Sequence, residues 1–279
     1  KEMRDVAPRG SAYAGGGVAV CGMVRREDGV VRLSPNTGWM DEPLGEVLGA
    51  ELGRDRPVAV GNVADVSALA EHTRGVAVGC DNLIYLYGDV GVGAGIIAGG
   101  RPVTGHGGYG GEVGHMVVNP DGLPCSCGSR GCWETEIGEH ALLRAAGRVD
   151  DSGQPGVAGR SSPSGEEAVL SIIEPAAWGD ASARAALRQV GHWLGFGVAN
   201  LVNIFNPEMV IFGGTLRDVY LASAAQVRSR LNAMALAACR EHVRLRTPTL
   251  GEDAALIGAA ELVFQHLLAD PLDAGLSRR

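Results

Sequence analysis

The chain has 279 residues, 46% of them apolar, 43 glycines and a formal charge of −8. That length supports one large domain or two lobes with an ample core, and the acidic balance argues against a broad nucleic-acid-binding face. No apolar run reaches membrane-spanning length, and no charged-then-apolar leader opens the sequence.

Residues 1–15 are polar and glycine-rich, a composition that predicts a frayed start. Residues 17–24 read as a buried strand and residues 30–33 as a second. Asp41-Glu42-Pro43 opens a helix that runs through Leu44, Val47, Leu48 and Leu52, with proline near its first turn. Pro57 to Val60 is a short strand ending at Gly61-Asn62. A helix follows from Ala64 to Arg74, with Val66, Leu69 and Ala70 inward. Leu83 to Tyr87 and Val92 to Ala98 predict consecutive strands around a glycine-rich turn. Glu134 to Gly147 reads as helical, and residues 148–165 as a mobile surface loop rich in Gly, Pro, Ser and Asp. Helices are expected at 166–176, 180–205 and 217–239, with a strand at Met209 to Phe212, and residues 254–269 form a closing amphipathic helix. Alternating strands and helices make the fold class α/β, not a helical bundle.

The densest chemistry lies between Glu112 and Glu134. His115, Cys125, Cys127 and Cys132 put one imidazole and three thiols inside eighteen residues. Three cysteines and a histidine are a ligand set for a closed, tetrahedral structural zinc. Small buried thiols are the plainer reading, but three of the chain's six cysteines fall within eight residues. Cys21, Cys80 and Cys239 have no such neighbours and read as core or incidental thiols. Thiols grouped for metal, not spread as a disulfide framework, fit a reducing compartment, so a cytoplasmic location is expected.

The chain resembles the ROK family, which groups bacterial sugar kinases with sugar-responsive transcriptional repressors. The resemblance runs from Gly17 to Leu268. It rests on Pro35-Asn36, Gly61-Asn62, the Glu112/His115 pair, the cysteine cluster with Glu134, and Asn206-Pro207 leading into Ile211-Phe212-Gly213-Gly214. It implies an actin-like, ribonuclease H-like two-lobed fold with sugar bound between the lobes. Residues 1–80 with 254–279 would form a smaller lobe, and 81–253 a larger one. By the same resemblance His115, Cys125, Cys127 and Cys132 hold zinc, and Asn36, Asn62, Glu112, His115 and Glu134 meet the sugar hydroxyls. Amides and carboxylates suit that task, and a metal-bound imidazole keeps its second nitrogen for an oxygen ligand. Plainer roles stand beside these. Asn36 suits a turn, Asn62 a helix cap and Glu134 the first turn of a helix; Glu136 reads as solvated. Arg101 to Gly111 is expected to be a loop that shapes the cleft.

Three departures separate the chain from the family's kinases. Val63 stands where they carry the Asp that acts as base on the sugar, and general-base assistance is worth about 10²–10⁴-fold. Asp65, two residues on, is expected to point elsewhere if helical. The family's Gly-Thr-Gly-x-Gly turn reads Asp89-Val90-Gly91-Val92-Gly93, which places a carboxylate where a phosphate cradle wants N–H groups and cations. The family's first strand and its Asp-x-Gly-x-Thr turn are absent from these residues, so the first lobe reads as incomplete. The expectation is a zinc-containing sugar-effector and dimerisation region of a repressor with no catalytic residues. Its operator DNA would be bound through an upstream helix-turn-helix, and it would assemble as a homodimer or homotetramer away from membranes. The alternative is an ATP-dependent, glucokinase-like sugar kinase.

Overall fold

The computed structural model describes residues 15–35, 37–52, 58–150 and 164–269. The expectations for residues 1–14, Asn36, Pro57 and 151–163 therefore lie outside the described residues. In chain order the elements are β1 Gly16–Val20, β2 Met23–Val24, β3 Val31–Ser34, β4 Trp39–Glu42, α1 Leu44–Leu52, β5 Val58–Asn62, α2 Val63–Arg74, β6 Leu83–Gly88, β7 Val92–Ala98 and β8 Arg101–Pro102. They continue with α3 Glu134–Ile137, α4 Glu139–Ala145, α5 Glu166–Ala177, α6 Ala181–Phe205, β9 Met209–Gly214, α7 Thr215–Met234, α8 Ala237–Arg240, β10 Arg244–Arg246 and α9 Ala254–Ala269.

Three sheets organise them. β1 and β5 pair in parallel, β2-β3-β4 form an antiparallel meander, and a five-stranded mixed sheet runs in the order β10-β9-β6-β7-β8. β6 is the centre of the large sheet, antiparallel to β7 and parallel to β9. Alternate residues point to opposite faces of a strand, and β6 divides accordingly. Ile84 and Leu86 join the core built by the α5–α7 layer, whereas Leu83 and Tyr85 pack with Ala68 of α2. Burial on both faces explains why this strand reads as an almost unbroken apolar run.

Helix ends follow their local chemistry. The Asp180 side chain accepts the Ala183 N–H at 2.7 Å to start α6, and Asn206 ends it in the left-handed region at φ 46°. The strand expected over 17–24 is interrupted at Cys21-Gly22, and the helix expected over 134–147 breaks at Gly138, which is extended at ψ 174°. The helix expected to reach 239 stops at Met234 and resumes as the short α8. Among the described residues, no helix is long and apolar enough to cross a membrane.

Candidate metal centre and adjoining cleft

The segment after α2 and β7 brings the four metal-ligand candidates together. Their ligand atoms all lie within 4.8 Å of one another. Cys127 Sγ is 3.6 Å from Cys132 Sγ, and Cys125 Sγ is 3.7 Å from His115 Nδ1. A tetrahedral zinc with Zn–S bonds of about 2.3 Å sets its sulfurs about 3.8 Å apart, so these residues fit that ion. Two glycines make the convergence possible. A Cβ on Gly131, at φ 67°, would lie 1.6 Å from the Asn119 carbonyl oxygen, and one on Gly114 would lie 2.0 Å from the Val92 carbonyl oxygen. Only glycine lets the cysteine loop and the His115 turn sit this close to their neighbours. Burial pushes the Cys125 and Cys132 thiols up, while the Ser129 backbone holds exposed Cys127 down.

Glu134 ties this centre to the large sheet. Its Oε1 accepts from the Cys125 thiol at 3.0 Å and lies 3.6 Å from His115 Nδ1, and its Oε2 accepts the Val92 N–H at 3.4 Å. It is a first-turn glutamate of α3, as its position suggested, but its carboxylate faces the metal centre. Because Nδ1 faces Cys125, the other imidazole nitrogen is the one left for a ligand. Glu136, expected to be solvated, instead accepts from Asn119 Nδ2 at 2.7 Å.

A cleft of about 190 Å3 opens beside the centre, and Asn62, Glu112, His115 and Glu134 all line it. Asn36 lies outside the described residues, although Pro35 before it is in the wall. Asn62 has the expected cap role as well: its Oδ1 accepts the Ala64 N–H at 2.7 Å, and its Nδ2 donates to the Gly22 carbonyl at 2.8 Å. The amide keeps one N–H for the cleft. Burial raises the Glu112 carboxyl above its ordinary range, against the pull of His115. Cys21, Tyr87 and Ser126 also line the cleft and were missed in the sequence. Ser126 had a signal, since it sits between two ligands of the cluster; Cys21 and Tyr87 had none.

Val63, Asp89 and Val90 line the same cleft, and among the described residues no lysine or arginine does. The Asp89 N–H donates to the Gly91 carbonyl at 2.9 Å, so the turn does not offer it to a phosphate. Asp89 and Tyr87 also border a larger cavity of about 460 Å3, walled by Ser67, Tyr85, Gly214, Thr215 and the segment around Thr249. Asp65 does not line the cleft that Val63 lines; it lines a separate small recess together with Asn62 and Glu112. Helical side chains lean toward the helix N-terminus, so the third residue of α2 faces the same opening as its cap.

Comparison with known proteins accounts for this arrangement. Glucokinase of Halalkalibacterium halodurans is 32% identical over 258 residues, covering 92% of this chain and 78% of that protein. The xylose repressor of Caldicellulosiruptor bescii is 33% identical over 274 residues, 97% of this chain and 67% of that one. Among solved structures, a ROK family transcriptional regulator homologous to the E. coli MLC protein superposes with a TM-score of 0.77 at 29% identity, over 94% of this chain and 64% of that chain. A ROK family glucokinase from Streptomyces griseus, in complex with glucose and AMPPNP, gives 0.76 at 31% identity, over 92% and 83%. The α/β architecture is therefore the actin-like fold of these proteins. The ROK family profile matches residues 3–266, and with relatives above 30% identity along almost its whole length, this chain belongs to the ROK family.

Proposed function

We propose that the chain is the sugar-effector-binding and dimerisation region of a ROK-type transcriptional repressor, holding a structural zinc and lacking kinase activity. One observation carries the reading. Hydroxyl-recognising groups (Asn62, Glu112, His115, Glu134) converge on one cleft, while the position for a base is Val63 and the phosphate side carries Asp89 and Val90. Asn36 completes the proposed set of sugar ligands. Carboxylates and amides satisfy vicinal hydroxyls and reject analogues that leave them unpaired. Zinc at His115, Cys125, Cys127 and Cys132 would cross-link the loop that carries Glu134 and contribute directly to folding.

Sugar in the cleft would act by favouring one arrangement of the elements around it, which biases DNA-binding elements elsewhere in the protein. The kinship with a xylose repressor supports a monosaccharide effector. An operator DNA, a homodimeric or homotetrameric assembly and a cytoplasmic location belong to the same reading.

The second reading is an ATP-dependent sugar kinase. The cavity of about 460 Å3 beyond Asp89 favours it, as does kinship with glucokinases. Calorimetric titration of D-glucose, D-xylose and N-acetyl-D-glucosamine, beside a coupled assay of ADP release with Mg-ATP, separates the two. Sugar binding without sugar-dependent ADP release is expected. Turnover near 1 s⁻¹ or above, an ordinary enzyme rate, would move the assignment to the kinase, and failure of every sugar to bind would remove sensing.

A further inference from the structure

We infer that the recess behind the cleft receives one hydroxyl of the bound sugar, with Asp65 as a specificity-determining residue that nothing in the family resemblance assigns. This deepens the sensing reading and rests on it. The recess and the cleft share five wall residues, Gly22, Met23, Asn62, Gly93 and Glu112, so one opens from the other. Its volume is about 20 Å3, room for one water-sized group and nothing larger. Five of its eleven wall residues are glycines, and the residues with polar side chains in the wall are Asn62, Asp65 and Glu112.

The chemistry of those groups suits a hydroxyl. A hydroxyl both donates and accepts. Two ionised carboxylates side by side can only accept, and they repel each other. Burial first, and then the nearby Glu112, push the Asp65 carboxyl up to about 7, against the Arg26 guanidinium. The Arg26 guanidinium donates to Thr104 Oγ1 at 3.3 Å. Below about pH 7, as at pH 6, the Asp65 carboxyl carries its proton. A protonated Asp65 donates to the sugar oxygen while a Glu112 carboxyl oxygen accepts the sugar O–H. The free amide N–H of Asn62 adds a second donor. A sugar lacking that hydroxyl, or with the opposite configuration there, leaves a buried donor and acceptor facing a void, which is how polar sites reject close analogues.

The test measures binding of D-glucose and D-xylose, and of the monodeoxy analogues of whichever binds, to the wild-type chain, Asp65→Ala and Asp65→Asn at pH 6. In the wild type one deoxy analogue loses about tenfold or more. Asp65→Ala loses a similar factor for the parent sugar and nothing further for that one analogue, while the other deoxy penalties remain. Asp65→Asn, which keeps an N–H donor, binds the parent within about threefold of wild type. A second arm depends only on the asparagine variant. Wild-type affinity falls between pH 6 and pH 8, and that of Asp65→Asn falls less. Unchanged affinity and an unchanged deoxy profile in Asp65→Ala, or parallel pH profiles for wild type and Asp65→Asn, overturn the assignment while leaving sugar sensing intact. No binding of either sugar to the wild type removes both.

Discussion

Gly197→Ala tests whether the metal centre is fixed by the core beneath it. Gly197 lies in α6, and a Cβ there would stand 2.0 Å from Cε2 of the Trp133 indole. Ordinary contact begins near 3.4 Å, so the ring or the helix must give by about 1.4 Å. Trp133 has little room: it is fully buried, and its Nε1 donates to the Trp193 carbonyl at 2.8 Å. Overpacking of this kind costs about 1–3 kcal/mol, and loss of the indole bond about 1 kcal/mol more. Alanine returns about 1 kcal/mol of helix propensity, leaving a net destabilisation of about 2 kcal/mol. Because Trp133 stands between Cys132 and Glu134, the displacement also reaches a metal ligand and a cleft carboxylate. Urea unfolding followed by circular dichroism is the assay, with bound zinc and sugar affinity measured alongside. Gly49→Ala is the matched control, since Gly49 is helical and a Cβ there meets nothing within 4 Å. It should stabilise by up to about 1 kcal/mol. A Gly197→Ala midpoint at or above wild type, with zinc and sugar binding unchanged, refutes the packing argument.

Three further outcomes are expected. Cys127 is exposed, so Cys127→Ser removes little packing; its loss of bound zinc, read by elemental analysis, should come with a urea midpoint that chelator no longer lowers, whereas chelator lowers that of wild type. Asp65 is raised from 3.8 to about 7 in the folded chain, so its contribution to stability is full below about pH 4 and lost as pH rises through 7. Relative to wild type, Asp65→Asn should therefore gain stability between pH 4 and 8, by at most about 4 kcal/mol, and parallel urea profiles would contradict this. Val63→Asp places a carboxylate in the first turn of α2, where the helix dipole tolerates it within about 1 kcal/mol. It should fold normally yet show no sugar-dependent ADP release, and turnover near 1 s⁻¹ would mean that Asp89 and Val90 are no obstacle.

The clustering of the four candidate metal ligands was readable in the sequence because it is local: rare residue types at short spacing leave few other uses. The buried strand β6 and the long helix α6 were readable for a different reason, since an apolar run and a capped 3.6-residue period persist over many residues. What failed was short or three-dimensional. β4 carries Asp41 at φ 54° and exposes Met40, so it shows no alternating pattern, and β10 alternates around the single buried Leu245 but is only three residues long. Asp65 is absent from the cleft that Val63 lines, as its spacing implied, but the recess it shares with Asn62 and Glu112 exists only once α2 packs beside Gly108 to Glu112. No feature of the linear sequence marks the approach of Gly197 to Trp133, sixty-four positions away, because it arises only when α6 packs under the metal loop.

Sensing asks less of a cleft than catalysis does. A kinase must bind the transition state better than the substrate, which needs a proton acceptor and preorganised donors at the transferred phosphoryl. A sensor needs only unequal affinity for a sugar in two conformations. On the proposed reading the groups kept here serve ground-state recognition, and they stand on elements tied to distant parts of the chain. α2 is capped by Asn62 in the cleft and carries Glu71 near its end. That buried carboxylate accepts from the Leu250 N–H at 2.8 Å, the Val76 N–H at 2.7 Å and Thr249 Oγ1 at 3.2 Å. One helix thus joins the Asn62 end of the cleft to the wall of the larger cavity, where Ser67 and Thr249 both sit. On the proposed reading, a sugar that reorients the start of α2 acts on that wall through this helix, with no phosphoryl chemistry required.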